Sequence, residues 1–184
     1  MKWIDELQSG KKAELWSEFH PVREQDVEAL EVELGRSLPI DFKEFYQKIG
    51  YGRWPDKFGG GIYSPDEILE VVGAPIYYVL GSLFPGKEWA SAAEHRKLWL
   101  SRGGFNPNPQ RFSTKSLEFY GMNLLDLLQI GSDGSACYQM LNLSESSANK
   151  YVVICESTEV ELVAESFRDG IYIITDLQID VNDA

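Results

Sequence analysis

Between Asp26 and Gly50 the sequence DVEALEVELGRSLPIDFKEFYQKIG encodes two short amphipathic helices meeting at a tight corner. Val27, Leu30 and Leu34 recur at spacings of three and four, which lays one apolar stripe along the first helix. Gly35 follows the last of them, where a left-handed residue closes a helix at least steric cost. Pro39 fixes φ at the start of the next helix, a position whose N–H would have no intrahelical partner. Phe42, Phe45, Tyr46 and Ile49 form the second stripe, and Gly50 ends it. These residues alone predict a helical corner packed on a core.

Around this corner the chain alternates helix and strand signals. Residues 3–19 read as helix in two pieces broken at Ser9-Gly10, and His20-Pro21 separates them from the corner. After Gly50, YGRWPDKFGG is rich in turn formers. GGGIYSPDEILEVV then predicts a short strand and a short helix, with Ser64 as N-cap, Pro65 at the first helical position and Asp66-Glu67 at the positive end of the helix dipole. IYYVL at 76–80 reads as a strand, and EWASAAEHRKLWLS as a helix ending at Gly103-Gly104. LLQIGSDGSACYQMLNL is an apolar run, an Asp133-Gly134 hairpin turn, and a strand. That strand places Cys137, Gln139, Leu141 and Leu143 on one face and Tyr138 and Met140 on the other. YVVIC follows as a buried strand.

With 184 residues the chain fits one domain with a real core. Hydrophobic residues at 43% and aromatics at 12% exclude a disordered chain. No apolar run approaches the roughly 20 residues that span a bilayer, and the N-terminus, with acids early and no continuous apolar stretch, lacks the pattern of a secretory signal. The expected location is cytoplasmic. Cys137 and Cys155 are accordingly expected as reduced thiols. A net charge of −12 argues against binding a phosphate backbone directly. Beyond Lys150 there are eight acids and a single base, Arg168, whereas Pro85 to Lys115 is basic. An acidic pole serves either solubility or the attraction of a basic partner, and charge alone leaves both open.

Chemistry is hard to place on this sequence. His20 and His95 are far apart and lack acids at ligand spacing, so no metal site is expected. GSDGSA lacks the strand–Ser–helix context of a nucleophile elbow, and neither cysteine has a local reason for a lowered pKa. Gly59-Gly60-Gly61 precedes carboxylates rather than a lysine, so it reads as a flexible turn and not a phosphate cradle. Asp126 and Asp133 read as a helix end and a hairpin residue. No cofactor and no catalytic residue is expected. The cluster Tyr51, Trp54 and Phe58, with Arg53, Asp56 and Lys57 interleaved, suits interface anchors and equally a satellite core under a loop.

The order of these motifs resembles the SUKH superfamily, which includes a yeast cell-wall synthesis regulator and many bacterial immunity proteins. The likeness rests on Leu30-Glu31, Leu34-Gly35, Leu38-Pro39, Phe42, Phe45-Tyr46 and Gly50, then on Glu67-Ile68-Leu69 after a short strand. It resumes at the Gly131-Ser132-Asp133-Gly134 turn and at VAESFRDGIYII, similar to the family's closing helix with Ser166 as N-cap. Gly170 costs that helix about 1 kcal/mol relative to alanine. Two departures stand out: Arg23 occupies the usual Ser/Thr cap of the first corner helix, and Ala136-Cys137 replace a second Gly-Asp after the turn.

The resemblance implies an α+β fold, with N-terminal helices packed on a mostly antiparallel or mixed β-sheet and a C-terminal helix. It implies one domain over 1–184, with an elaboration inserted at about 84–122. It further implies a non-catalytic immunity protein that occludes a cognate toxin domain, a basic one such as a nuclease; the alternative is a regulatory scaffold without a toxin. Partner contacts are expected at Tyr51, Trp54 and Asp56, at Asp133, and at Glu156, Glu159 and Glu161.

Overall fold

A computed structural model describes residues 2–55, 59–72, 126–134, 137–155 and 160–182. Helices α1 (Lys2–Leu7) and α2 (Gly10–Leu15) lead into strand β1 (Phe19–His20). The corner follows as α3 (Glu24–Leu34) and α4 (Ile40–Lys48), then β2 (Tyr51–Arg53), β3 (Gly61–Ile62) and α5 (Pro65–Glu70). The second half comprises β4 (Leu127–Ser132), β5 (Cys137–Asn142), β6 (Tyr151–Cys155), β7 (Val160–Ala164) and α6 (Phe167–Asn182). The expected strand at 76–80, the helix after Glu88 and the insertion at 84–122 lie outside the described residues.

The seven strands form one sheet in chain order, each antiparallel to the next. The fold is α+β as expected, and among the described residues no strand pair is parallel. Side-chain alternation sorts the sheet into two faces. Leu128, Ile130, Leu141, Tyr151 and Val153 join the core beneath the helices, with Phe42, Phe45, Phe167 and Ile171. Leu127, Met140, Val152 and Ile154 form a second buried cluster. The two faces read from β5 are therefore borne out, Leu141 on one and Met140 on the other.

Three side-chain arrangements hold α6 in place. The Ser166 hydroxyl accepts from the Asp169 N–H at 3.0 Å and donates to its carboxylate at 2.6 Å, the expected N-cap. Phe167 stands edge-on to Phe42, Phe45 and Tyr151, with ring centroids 5.1, 5.2 and 5.7 Å apart. Fully buried Tyr151 donates its hydroxyl to Gln139 Oε1 at 2.6 Å, and Gln139 Nε2 donates to the Ser132 carbonyl at 3.3 Å, so this polar group is satisfied in the core. Gly170 lies directly under that ring: a Cβ there would stand 2.0 Å from Tyr151 Cδ1. The helix-weakening glycine is the condition for Tyr151 to occupy its place.

The N-terminal helices dock on the same layer. The Trp3 indole donates to Glu44 at 2.9 Å, Tyr172 donates its hydroxyl to Glu6 at 2.7 Å, and Lys12 pairs with Asp176 at 2.7 Å. Burial, reinforced by the Glu6 bond, pushes the Tyr172 hydroxyl up to about 12.

Two sequence expectations are corrected. The Gly59-Gly60-Gly61 run is not merely a flexible turn, because Gly60 and Gly61 are close-packed. A Cβ on Gly60 would lie 2.4 Å from the Asp133 carbonyl carbon, and one on Gly61 2.0 Å from the Gly52 carbonyl oxygen. Nor is Cys137 a free thiol: it is disulfide-bonded and lies directly opposite Cys155 in the β5–β6 register.

Candidate interaction surface

The corner is built from polar groups turned inward. Gly35 takes φ +63°, and its N–H and that of Arg36 donate to the Val32 and Glu31 carbonyls at 3.1 and 3.3 Å, closing α3. The Glu31 carboxylate then accepts from the Leu38 N–H at 2.7 Å and pairs with Lys43 at 3.1 Å, which fixes the angle between α3 and α4. Asp41 accepts from the N–H groups of Phe42 at 3.0 Å and of Arg168 at 2.9 Å. One carboxylate thus stands at the positive ends of both α4 and α6. Arg36 pairs with Asp126 at 2.7 Å, tying the corner to the start of β4. At the other end of α3, Arg23 makes no side-chain cap but binds Asp26 through two bonds, at 2.7 and 2.9 Å, which hold the Asp26 carboxyl below its ordinary range.

What the corner leaves outside is apolar. Val32 is 79% exposed and Ile40 75%, far more than Ile173 and Leu177 on α6. Ile40 borders a groove of about 1050 Å³ between the corner, Trp3, the β5–β6 connection and the start of α6. The far wall is rigid: buried Asn142 donates to the Asn149 carbonyl at 2.9 Å and accepts from the Ser144 N–H at 3.0 Å, while Lys150 donates to the Ser144 carbonyl. Val32 borders a shallower groove of about 390 Å³ with Glu28, Glu31 and Arg36. Among the described residues, no group of three or more His, Cys, Asp or Glu could hold a metal ion.

Those of the contacts expected from sequence that fall within the described residues belong to the opposite end of the sheet. Arg53, Gly61, Ser132, Cys137, Cys155 and Val160 mark that end, because β2–β3, β4–β5 and β6–β7 all connect there. Tyr51 is half-buried and lines a groove of about 520 Å³ with His20, Arg53 and Glu67. Asp133 accepts from the Cys137 N–H at 3.0 Å, a role within the hairpin. Trp54 is corrected: at 2% exposure it packs in the core, its backbone N–H held to the Gly60 carbonyl at 2.7 Å, out of a partner's reach. Asp56, Glu156 and Glu159 lie outside the described residues, and Glu161 falls within β7.

Val32 and Ile40 escaped the sequence reading, although a signal existed. Val32 lies off the Val27–Leu30–Leu34 stripe, and Ile40 off the Phe42–Phe45–Tyr46–Ile49 stripe. An aliphatic residue outside its helix's buried face has no core to enter.

This same corner falls within the region that a family model recognises: the SMI1 / KNR4 family (SUKH-1) matches residues 21–172. The chain belongs to the SMI1 / KNR4 family. No curated protein matches it. The SUKH-1 match opens at Pro21 and closes at Tyr172, so α1, α2 and β1 precede it and the last turns of α6 lie beyond. In this SUKH-1 protein, however, the segments before the match are joined to it through Trp3–Glu44 and Glu6–Tyr172.

Proposed function

We propose that this protein is a non-catalytic immunity protein. It binds a cognate bacterial toxin domain with a basic surface, such as a nuclease, and neutralises it by stoichiometric occlusion. Membership of the SUKH-1 family supports this reading. The observation that carries it is the charge of the helical layer: Asp5, Glu14, Glu24 and Glu28 are all exposed on it. Such a face attracts a basic protein, and nuclease domains carry basic grooves for their substrates.

The polar groups of the large groove favour binding over chemistry. Arg36 is tied to Asp126, Asp41 to the Arg168 amide and Lys150 to the Ser144 carbonyl, so each already serves the fold. Tyr51, Asp133 and Glu161 stay candidate contacts at the opposite end of the sheet, and Asp56, Glu156 and Glu159 stay candidates outside the described residues. The test is capture of the tagged protein's partner, identified by mass spectrometry, followed by reconstitution. A toxin domain recovered at equal stoichiometry and silenced by the pure protein is the expected result. A captured toxin that keeps its activity in the reconstituted complex refutes occlusion.

A further inference from the structure

Resting on that reading, we infer that the partner is held by the outer face of the α3–α4 corner, where Val32 and Ile40 stand exposed beside Glu24 and Glu28. The occupant is a protein surface that sets lysine or arginine side chains around an apolar centre.

Three observations converge on this face. Val32 and Ile40 are the most exposed of the large aliphatic residues described, at 79% and 75%, and they flank the same turn. A partner covering them gains apolar burial of about 25 cal/mol per Å². Grooves of about 1050 and 390 Å³ open on either side of that turn and share Gly35, Arg36 and Ser37 in their linings. They provide concavity for a partner's side chains. The third observation is charge. The cations at the corner are paired with acids of the fold, half-buried Arg36 with Asp126 and Lys43 with Glu31, and exposed Arg23 with its neighbour Asp26. Glu24 and Glu28 are exposed on the outer side of α3, and Ala29, one residue from Glu28, is exposed beside Val32. The outward field is therefore negative around an apolar centre, the complement of a basic rim around an apolar contact.

The stripe on α6 is the weaker candidate. Ile173 and Leu177 are 42% and 55% exposed, and the acids beside them are engaged, Asp169 with Ser166 and Asp176 with Lys12.

The face can be tested without the toxin. A synthetic peptide of alternating lysine and leucine is titrated into isotope-labelled protein at low salt, and amide shifts are followed by NMR. The expected map centres on residues 24–40, and Val32→Lys with Ile40→Lys weakens the peptide by roughly tenfold or more. Both positions are exposed, so the double variant should melt within about 2 °C of the parent. Glu18→Lys, an equal charge change at the opposite end of the sheet, should leave the map in place. Shifts centred near Glu18 and Arg53 or near Ile173 and Leu177, no shifts at all, or unaltered affinity in the double variant would each overturn the assignment. Failure here with toxin neutralisation intact removes only this face. Failure of the wild-type protein to neutralise removes the immunity reading itself.

Discussion

Replacing Gly170 with alanine sets helix propensity against packing. On propensity alone the change should stabilise α6 by about 1 kcal/mol. The structure reverses the sign. The new methyl would lie 2.0 Å from Tyr151 Cδ1 and 2.6 Å from both Cε1 and Cγ. The ring cannot swing aside, because it is fully buried, its hydroxyl is bonded to Gln139 and its face meets Phe167. Overpacking a rigid core costs about 1–3 kcal/mol, and contacts this short belong at the upper end. The net expectation is a loss of about 1–2 kcal/mol. For a chain of this size each kcal/mol moves Tm by about 2–4 °C, so the variant should melt about 2–8 °C lower. Thermal unfolding by circular dichroism reads this directly. In a Tyr151→Leu background the same glycine change should be neutral or stabilising, a coupling of about 1–3 kcal/mol. A Gly170→Ala protein that melts higher than its parent would refute the packing argument.

Trp54→Ala should cost about 3–5 kcal/mol, as truncation of a buried aromatic does; an unchanged melt would return the ring to the surface. Glu31→Ala, which removes the acceptor for the Leu38 N–H and the partner of Lys43, should cost about 1–3 kcal/mol, and Glu31→Gln visibly less, in urea unfolding; equal losses would deny the carboxylate its role at the corner. Reduction of the protein, or Cys137→Ser, should lower stability by about 3 kcal/mol if the bond closes its loop in the unfolded chain; identical melts with and without reductant would show that it does not. Burial, with Glu67 adding repulsion at Tyr46, raises the hydroxyl pKa of Tyr46 and Tyr151 well above the ordinary value, and Tyr172 is pushed up to about 12. The fold favours their neutral forms, so their contribution is whole below pH about 10 and is lost as pH rises further. Ultraviolet titration should show late ionisation coupled to unfolding, and one early step for every tyrosine in a native protein would contradict it.

The features legible in the sequence were local ones. Ser64 caps α5 and shares a capping box with Glu67, Ser166 caps α6, and Gly35 closes α3, each within a few residues of its partner. The faces of β5 followed from a period of two. What escaped depends on residues distant in the chain. Asp41 reaches Arg168, 127 residues further along the chain, Gly170 answers to Tyr151, and Gly61 answers to Gly52 through strand pairing. Trp54 reads the same whether it anchors a partner or fills a core, and only tertiary packing decided it. The large groove was invisible because five separate stretches meet there, from Trp3 to Arg168. Its outermost residues, Val32 and Ile40, were readable as off-stripe aliphatics, which is a signal of absence from the core rather than of any partner.

An inhibition titration tests stoichiometric neutralisation of a basic toxin domain without intermediaries. Toxin activity is measured against increasing amounts of this protein at low and at high salt. Complete loss of activity at one equivalent is expected, with an association rate that falls as salt rises. Full toxin activity in the presence of excess protein would contradict it and leave the scaffold role as the better description of this SUKH-1 member.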